Sequence, residues 1–455
     1  MRATLSSLQR HVSSAILTAD ASVTGVCTDS RQLTPGALFV ALRGERFDAH
    51  EFIGTVAQGP VSALMVEHLP EGIAMPALIV PDTRQALGEM ARWWRSQYRL
   101  PLISVTGSNG KTTVKEMIAS ILAAAFGSDG HLATRGNFNN DIGVPLTLFR
   151  LAPAHRAAVI ELGMNHPGEI AQLSAIALPT VALVNNAQRE HQEFMESVEA
   201  VAKENGAAIS SLADDGIAVF PADDEFSPLW RELAARRKCM TFGLSPDADV
   251  HCSHEVTETG SAMVVTARGL RFDVRLAAFG THNVRNALAA IACALAARIE
   301  IEAIISGVEA FQPVSGRLQR KMATSGATVI DDTYNANPDS VRAAIDVLAQ
   351  AASPRILVLG DMGEVGTKGP QFHREIGAYA KERGIDALLT LGTLARHASE
   401  AFGAQAKHFN DIDSINNEAA ALAVNKTTLL IKGSRFMKME RIVSRLVGGA
   451  PRESH

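Results

Sequence analysis

The sequence predicts an α/β protein of three domains, the middle one built on a parallel sheet. Three observations carry this. From Leu102 the chain repeats a rhythm of apolar run, glycine turn and helix: LISVTGSNGKTT leads into VKEMIASILAAAF, AAVIELG precedes a helix from Pro167, and VALVNN follows. Continuous apolar runs alternating with helices belong to parallel sheets covered on both faces. After residues 312–316 three more strand-like runs appear, ATVIDD, RILVLGD and TLLIKGS, with helices between them. The 455 residues also correspond to about three domains at roughly 150 residues each.

The first hundred residues hold strands at 37–42 and 77–80 and a helix at 82–98, capped by Asp82 or Thr83. Arg99–Pro101 breaks that pattern, so the expected domains are 1–99, 100–312 and 313–455. Late in the second domain, a strand is expected at 269–278 and a long helix at 282–297.

Composition excludes several classes. With 47% apolar and 20% charged residues the chain can bury cores, so disorder is excluded. A net charge of −5 offers no basic field for nucleic acid. A polyanionic ligand then needs a local device. Cys27, Cys239, Cys252 and Cys293 show no CxxC spacing, which suits reduced thiols and a cytoplasmic protein. The N-terminus lacks a signal-peptide core, and no apolar stretch is long enough to span a membrane.

The local device is Val105-Thr106-Gly107-Ser108-Asn109-Gly110-Lys111-Thr112-Thr113, between a strand and a helix. Its glycines let backbone N–H groups turn inward around phosphates, and the helix aims its positive end at them. Lys111 suits the β- and γ-phosphates and the Thr112 hydroxyl suits Mg²⁺. Val105 stands where the strict pattern has its first glycine. Glu161 ends a buried strand, where a carboxylate faces the ligand crevice. Ser30 and Arg31 suit a diphosphate or uracil edge, or are a turn and a surface cation. The amides of Asn137, Asn139 and Asn140 suit a peptide substrate, or mark a turn.

This loop, opening the second of three domains, resembles the Mur ligase and folylpolyglutamate synthase superfamily, which couples ATP cleavage to amide-bond formation. Further segments carry the likeness: Thr28-Asp29-Ser30-Arg31 with Phe47-Asp48-Ala49-His50, Gly136-Asn137-Phe138-Asn139-Asn140-Asp141, Gly280-Thr281-His282-Asn283-Val284-Arg285-Asn286, Gly316-Arg317, and Asp331-Asp332-Thr333-Tyr334-Asn335-Ala336-Asn337-Pro338. The resemblance implies the three-domain Mur ligase architecture, with a P-loop-type central domain and a Rossmann-like C-terminal domain. It is nearest to members that add D-alanyl-D-alanine to UDP-N-acetylmuramoyl-tripeptide in the cytoplasm, and implies those two substrates with ATP and Mg²⁺.

Carried residue by residue, it implies that Lys111, Glu161 and His191 are catalytic, with Thr112, Glu161 and His191 at metal. ATP falls to residues 107–113 (Gly107, Ser108, Asn109, Gly110, Lys111, Thr112, Thr113), Asn283, Asn286, Arg317 and Asp332. The other substrates fall to Ser30, Arg31, Asn137, Asn139, Asn140, Tyr334, Asn335 and Asn337. A monomer is expected. Two departures stand out. Ala49 replaces the family's usual glycine, and Asn205 stands where many Mur ligases carry a carbamylated lysine. Lys203 lies roughly 200° away round a helix, so no carbamate is expected there. The rival reading from another class is a P-loop ATPase motor or nucleotide-binding regulator. The absence of a basic field and the ligand-like loops in all three domains argue against it.

Overall fold

The computed structural model describes residues 1–44, 47–190 and 193–448. The N-terminal domain carries a five-stranded sheet in the order Ile16–Leu17, Ala77–Ile79, Ala63–Val66, Leu38–Val40, Val26–Cys27. Only the first of these strands pairs antiparallel. The helix Thr83–Ser96 follows, its first turn capped by the Asp82 carboxylate, which accepts from the N–H groups of Arg84 and Gln85.

That helix fastens the first domain to the second. A side chain on Gly88 would meet Ile176 Cδ1 at 2.9 Å, so glycine permits the close approach to the helix Glu169–Ala177. Arg95 is buried and donates to the carbonyls of Ala177, Tyr98, Leu100 and Leu178. Burial pushes its guanidinium down to about 10. One apolar cluster runs without a break from Leu5 through Met90 and Ile176 to Trp230.

Among the described residues the central sheet has nine strands. Six parallel ones run His131–Ala133, Ala157–Glu161, Leu102–Thr106, Val181–Val184, Ile217–Pro221, Lys238–Gly243. The strands Leu102–Thr106, Ala157–Glu161 and Val181–Val184 are buried at every position, as expected for a sheet covered on both faces. Val250–Thr257 then joins, and an antiparallel meander of Gly260–Ala267 and Leu270–Leu276 completes the edge. The sequence pointed to one late strand there. Val250–Thr257 and Gly260–Ala267 went unread because they mix buried with partly or fully exposed positions instead of forming one apolar run.

On one face lie the helices Lys111–Phe126, Thr281–Ala296 and Ile301–Ala310. The other face carries Glu169–Ala177, Val198–Ser210 and Ser227–Ala234. Trp230 is fully buried there and donates from Nε1 to the Ala202 carbonyl at 3.0 Å. Truncating such a side chain removes its packing and its hydrogen bond to the helix. Trp230→Ala is therefore expected to destabilise the protein by about 3–5 kcal/mol, measured by urea unfolding.

The C-terminal sheet runs Gln319–Met322, Thr328–Asp332, Thr428–Lys432, Arg355–Gly360, Ala387–Leu391, Ala406–Phe409. It is parallel apart from its first strand. Its two faces have separate apolar cores, and Phe279 of the central domain packs against one of them. The four cysteines are free. Among the described residues no helix is long and apolar enough to cross a membrane.

Candidate active site

The phosphate loop leaves the strand Leu102–Thr106 in the interior of the central sheet and enters the helix Lys111–Phe126. Gly110, at φ 81°, caps that helix. A Cβ there would lie 2.5 Å from Asn286 Oδ1 and 2.8 Å from Asn185 Nδ2, so glycine is required on both counts. Side chains from neighbouring strand ends hold the loop. Asn186 Oδ1 accepts from the Asn109 N–H at 2.9 Å, and Gln188 Oε1 accepts from Asn109 Nδ2 at 2.6 Å. Lys111 Nζ lies 2.5 Å from the Gly107 carbonyl, 3.2 Å from the Ser108 carbonyl and 3.3 Å from Glu190 Oε2. Its ammonium thus rests against the carbonyls of its own loop.

Asn205 has a definite task. It is buried; its Oδ1 accepts from the Gly107 N–H at 2.8 Å and its Nδ2 donates to the Val201 carbonyl at 3.1 Å. Its own carbonyl accepts from Thr106 Oγ1 at 3.3 Å. Both ends of the amide are engaged in fixing the first turn of the loop. Lys203 points elsewhere and pairs with Glu199 on the exposed side of the helix at 2.7 Å. Asn205→Ala leaves the Gly107 N–H without its acceptor. It should lower stability by about 1–3 kcal/mol and weaken ADP binding, read by urea unfolding and by titration calorimetry.

Glu161 is buried at the end of its strand. Its Oε1 accepts from Asn139 Nδ2 at 2.8 Å, while its buried Oε2 has no hydrogen-bond partner. A buried carboxylate oxygen in that state calls for a cation. The Thr112 hydroxyl is a second oxygen donor of the same cavity, and accepts from Arg317 at 2.9 Å. Among the described residues no three or more His, Cys, Asp or Glu side chains gather into a cage. One carboxylate and one hydroxyl suit a hard divalent cation that keeps waters and takes phosphate oxygens.

The C-terminal domain faces this loop. The Arg317 guanidinium lies 4.1 Å above the Tyr334 ring and crosses to Thr112. Asp332 pairs with the buried Lys432 at 2.6 Å and accepts from the Leu318 N–H. Lys432 Nζ also donates to the Asn335 carbonyl at 2.9 Å. Asn337 caps the helix Pro338–Ala349, and its Nδ2 donates to Asn109 Oδ1 at 2.9 Å. Asn286 joins Asn185 to Asn283 by amide hydrogen bonds of 3.0 and 3.1 Å. Burial holds the His282 imidazole down to about 4, so it is neutral at pH 7.

These groups line one cavity of about 1040 Å³. Its wall draws Arg43 and Arg84 from the first domain, Lys111, Glu161 and Asn286 from the second, and Arg317 from the third. The chain matches the Mur ligase middle domain over residues 105–294, the Mur ligase glutamate ligase domain over 316–435 and the Mur ligase family catalytic domain over 22–95. It belongs to the Mur ligase family.

UDP-N-acetylmuramoyl-tripeptide–D-alanyl-D-alanine ligase of Escherichia coli K12 is 41% identical over 454 residues, covering 97% of this chain and 98% of that protein. The ligase of the same name from Bacillus subtilis is 33% identical over 436 residues, covering 93% of each. A crystal structure of MurF from Acinetobacter baumannii superposes with a TM-score of 0.91 at 34% identity, covering 98% of this chain and 99% of that one. The MurF ligase from Thermotoga maritima, solved with ADP, shares the fold with a TM-score of 0.83 at 24% identity, covering 94% and 97%.

In this Mur ligase the cavity wall contains Ser108, Asn109, Gly110, Lys111, Thr112, Thr113, Asn139, Asn140, Glu161, Asn283, Asn286, Arg317, Asp332, Tyr334, Asn335 and Asn337. Gly107 lies just behind, held by Asn205. Ser30, Arg31 and Asn137 stand outside the wall. The exposed Arg31 forks onto Asp29, with both contacts at 2.9 Å. His191 lies outside the described residues. Sequence reasoning passed over Asn185, Asn186, Gln188 and Arg189, which follow a buried strand of the Mur ligase sheet. Their position at its C-terminal end was the available signal.

Proposed function

We propose that this chain is an ATP-dependent amide ligase that joins D-alanyl-D-alanine to UDP-N-acetylmuramoyl-tripeptide, in peptidoglycan precursor synthesis. The observation that carries the reading is the crossing of Arg317 from the C-terminal domain to Thr112 of the phosphate loop, within a cavity that draws on all three domains. Such a division supports a nucleotide held between two domains, with the first domain serving the UDP-linked substrate.

In this reading ATP lies along Gly107–Thr113, with Asn283, Asn286 and Asp332 towards adenine and ribose, and Arg317 at phosphate. Lys111 leaves the Gly107 carbonyl to meet the β- and γ-phosphates. Thr112 and Glu161 would hold Mg²⁺, the family likeness assigns His191 to the metal as well, and the ion would supply charge neutralisation when bound. The terminal carboxylate of the tripeptide attacks the γ-phosphorus and ADP departs, leaving an acyl phosphate. The amine of D-alanyl-D-alanine then attacks the acyl carbon, and phosphate departs from the tetrahedral intermediate. Chemistry of this kind needs positioning and charge stabilisation more than a covalent nucleophile on the protein.

Asn139 and Asn140 orient the tripeptide, with Asn137 beside them, while Ser30 and Arg31 serve the uridine nucleotide. Tyr334, Asn335 and Asn337 lie on the side of the incoming dipeptide. The domains divide at 99/100 and 312/313, and the enzyme acts as a monomer in the cytoplasm. The test is phosphate release from ATP with both substrates present, alongside mass detection of the pentapeptide product. Release that needs only one substrate, or that proceeds equally with a single amino acid in place of the dipeptide, would overturn the reading.

A further inference from the structure

We infer that Arg189 is a positioning residue that sets the C-terminal domain in register with the phosphate loop. The inference rests on the function proposed above for its kinetic consequence, but its structural part stands independently.

Arg189 is anchored at both ends. It follows Gln188, whose N–H donates to Ser108 Oγ at 2.9 Å and whose Oε1 accepts from Asn109 Nδ2 at 2.6 Å. Its backbone is therefore fixed to the loop that would hold phosphate. Its side chain belongs to the other domain. The Arg189 N–H donates to Asp339 Oδ2 at 2.9 Å, and Nη2 donates to Asp339 Oδ1 at 2.6 Å. Nη1 and Nη2 donate to the two oxygens of Glu375 at 2.8 and 3.1 Å. The guanidinium carbon lies 5.4 Å from the Phe372 ring centroid. One planar fork thus engages carboxylates on two helices, Pro338–Ala349 and Gly369–Glu382.

These are charge-assisted contacts with fixed geometry, of a kind that lysine cannot reproduce. The side chains of Arg189 and Asp339 are each only 23% exposed, so solvent screens the pair less than a surface pair. The guanidinium donors are directed at carboxylates, which leaves Arg189 to act through its partners. Asp339 lies two residues beyond Asn337, the residue that reaches Asn109 of the phosphate loop. Fixing Asp339 fixes that helix end, and with it the approach of Arg317 to Thr112. Misplacement by about 1 Å at a reacting centre costs on the order of 10²-fold in rate.

The test uses the full-length enzyme with Arg189→Met, which keeps apolar bulk against Phe372, Arg189→Lys, which keeps charge without the fork, and Asp339→Asn. Small-angle scattering of Arg189→Met should show an expanded particle compared with wild type. Its kcat/KM for ATP should fall about 10²-fold, with lysine restoring little of it. Arg189→Met combined with Asp339→Asn should cost less than the sum of the two single losses, because both weaken the same side-chain ion pair. If Arg189→Met does not fold, Asp339→Asn weakens the Arg189–Asp339 pair from the opposite domain and carries both measurements. Unchanged scattering, unchanged kcat/KM or additive losses would each overturn the role of Arg189. A wild-type enzyme that ligates nothing overturns the proposed function instead, and leaves the scattering result to judge Arg189.

Discussion

Replacing Lys111 with methionine is expected to lower kcat for ligation about 10²–10³-fold, the range seen when one preorganised charge donor is removed. The helix Lys111–Phe126 would still aim its N-terminal dipole into the cavity, and Gly107 would still be held by Asn205. What disappears is the ammonium that the loop itself carries. Its present contacts are the Gly107 and Ser108 carbonyls and Glu190. The fold should survive, since methionine keeps most of the stem. Steady-state phosphate release and a thermal melt together check this. An unchanged kcat would remove Lys111 from the mechanism.

Glu161→Gln should give a different signature. The glutamine carbonyl can still accept from Asn139 Nδ2, so the shape of the site is retained. The charge is lost, and with it the attraction of the unpartnered Oε2 for a cation. Charge stabilisation by a metal ion is worth several kcal/mol, so a fall in kcat of about 10²-fold is expected. The Mg²⁺ concentration needed for half-maximal rate should rise. Stability, in contrast, should hold or increase, because a buried carboxylate oxygen without a partner costs free energy in the folded state. Kinetics over a Mg²⁺ series and urea unfolding check both halves. Lost stability with unchanged Mg²⁺ dependence would mark Glu161 as structural.

How much the sequence disclosed depended on the range over which each signal operates. The phosphate loop was legible because strand, glycines, lysine and helix are contiguous, and each glycine has a local steric reason. Glu161 was legible because its apolar strand was. Arg189 was not, since its partners lie 150 and 186 positions further along the chain and nothing about a lone arginine in a loop announces them. Asn337 carried two meanings at once: the residue assigned to substrate also caps a helix and reaches Asn109. Arg31 was read both towards a ligand and as a surface cation in a turn, and it forks onto Asp29 two residues back. Asn205 was noticed as a departure, but its hydrogen bond to Gly107 depends on how two helices and a strand pack.

The unbroken apolar cluster from Leu5 to Trp230 has a mechanical consequence. Three domains were counted along the chain, but such a cluster joins the first two into a single stiff base. The C-terminal domain, with cores of its own, is the jaw. The surfaces by which that jaw meets the base around the cavity are largely amides, carboxylates and guanidinium groups, which water can solvate when they part. Parting there would expose little hydrocarbon besides Phe279, which packs against one of the jaw's two cores. Such a motion would admit and discharge ligands while the core of the base stays closed.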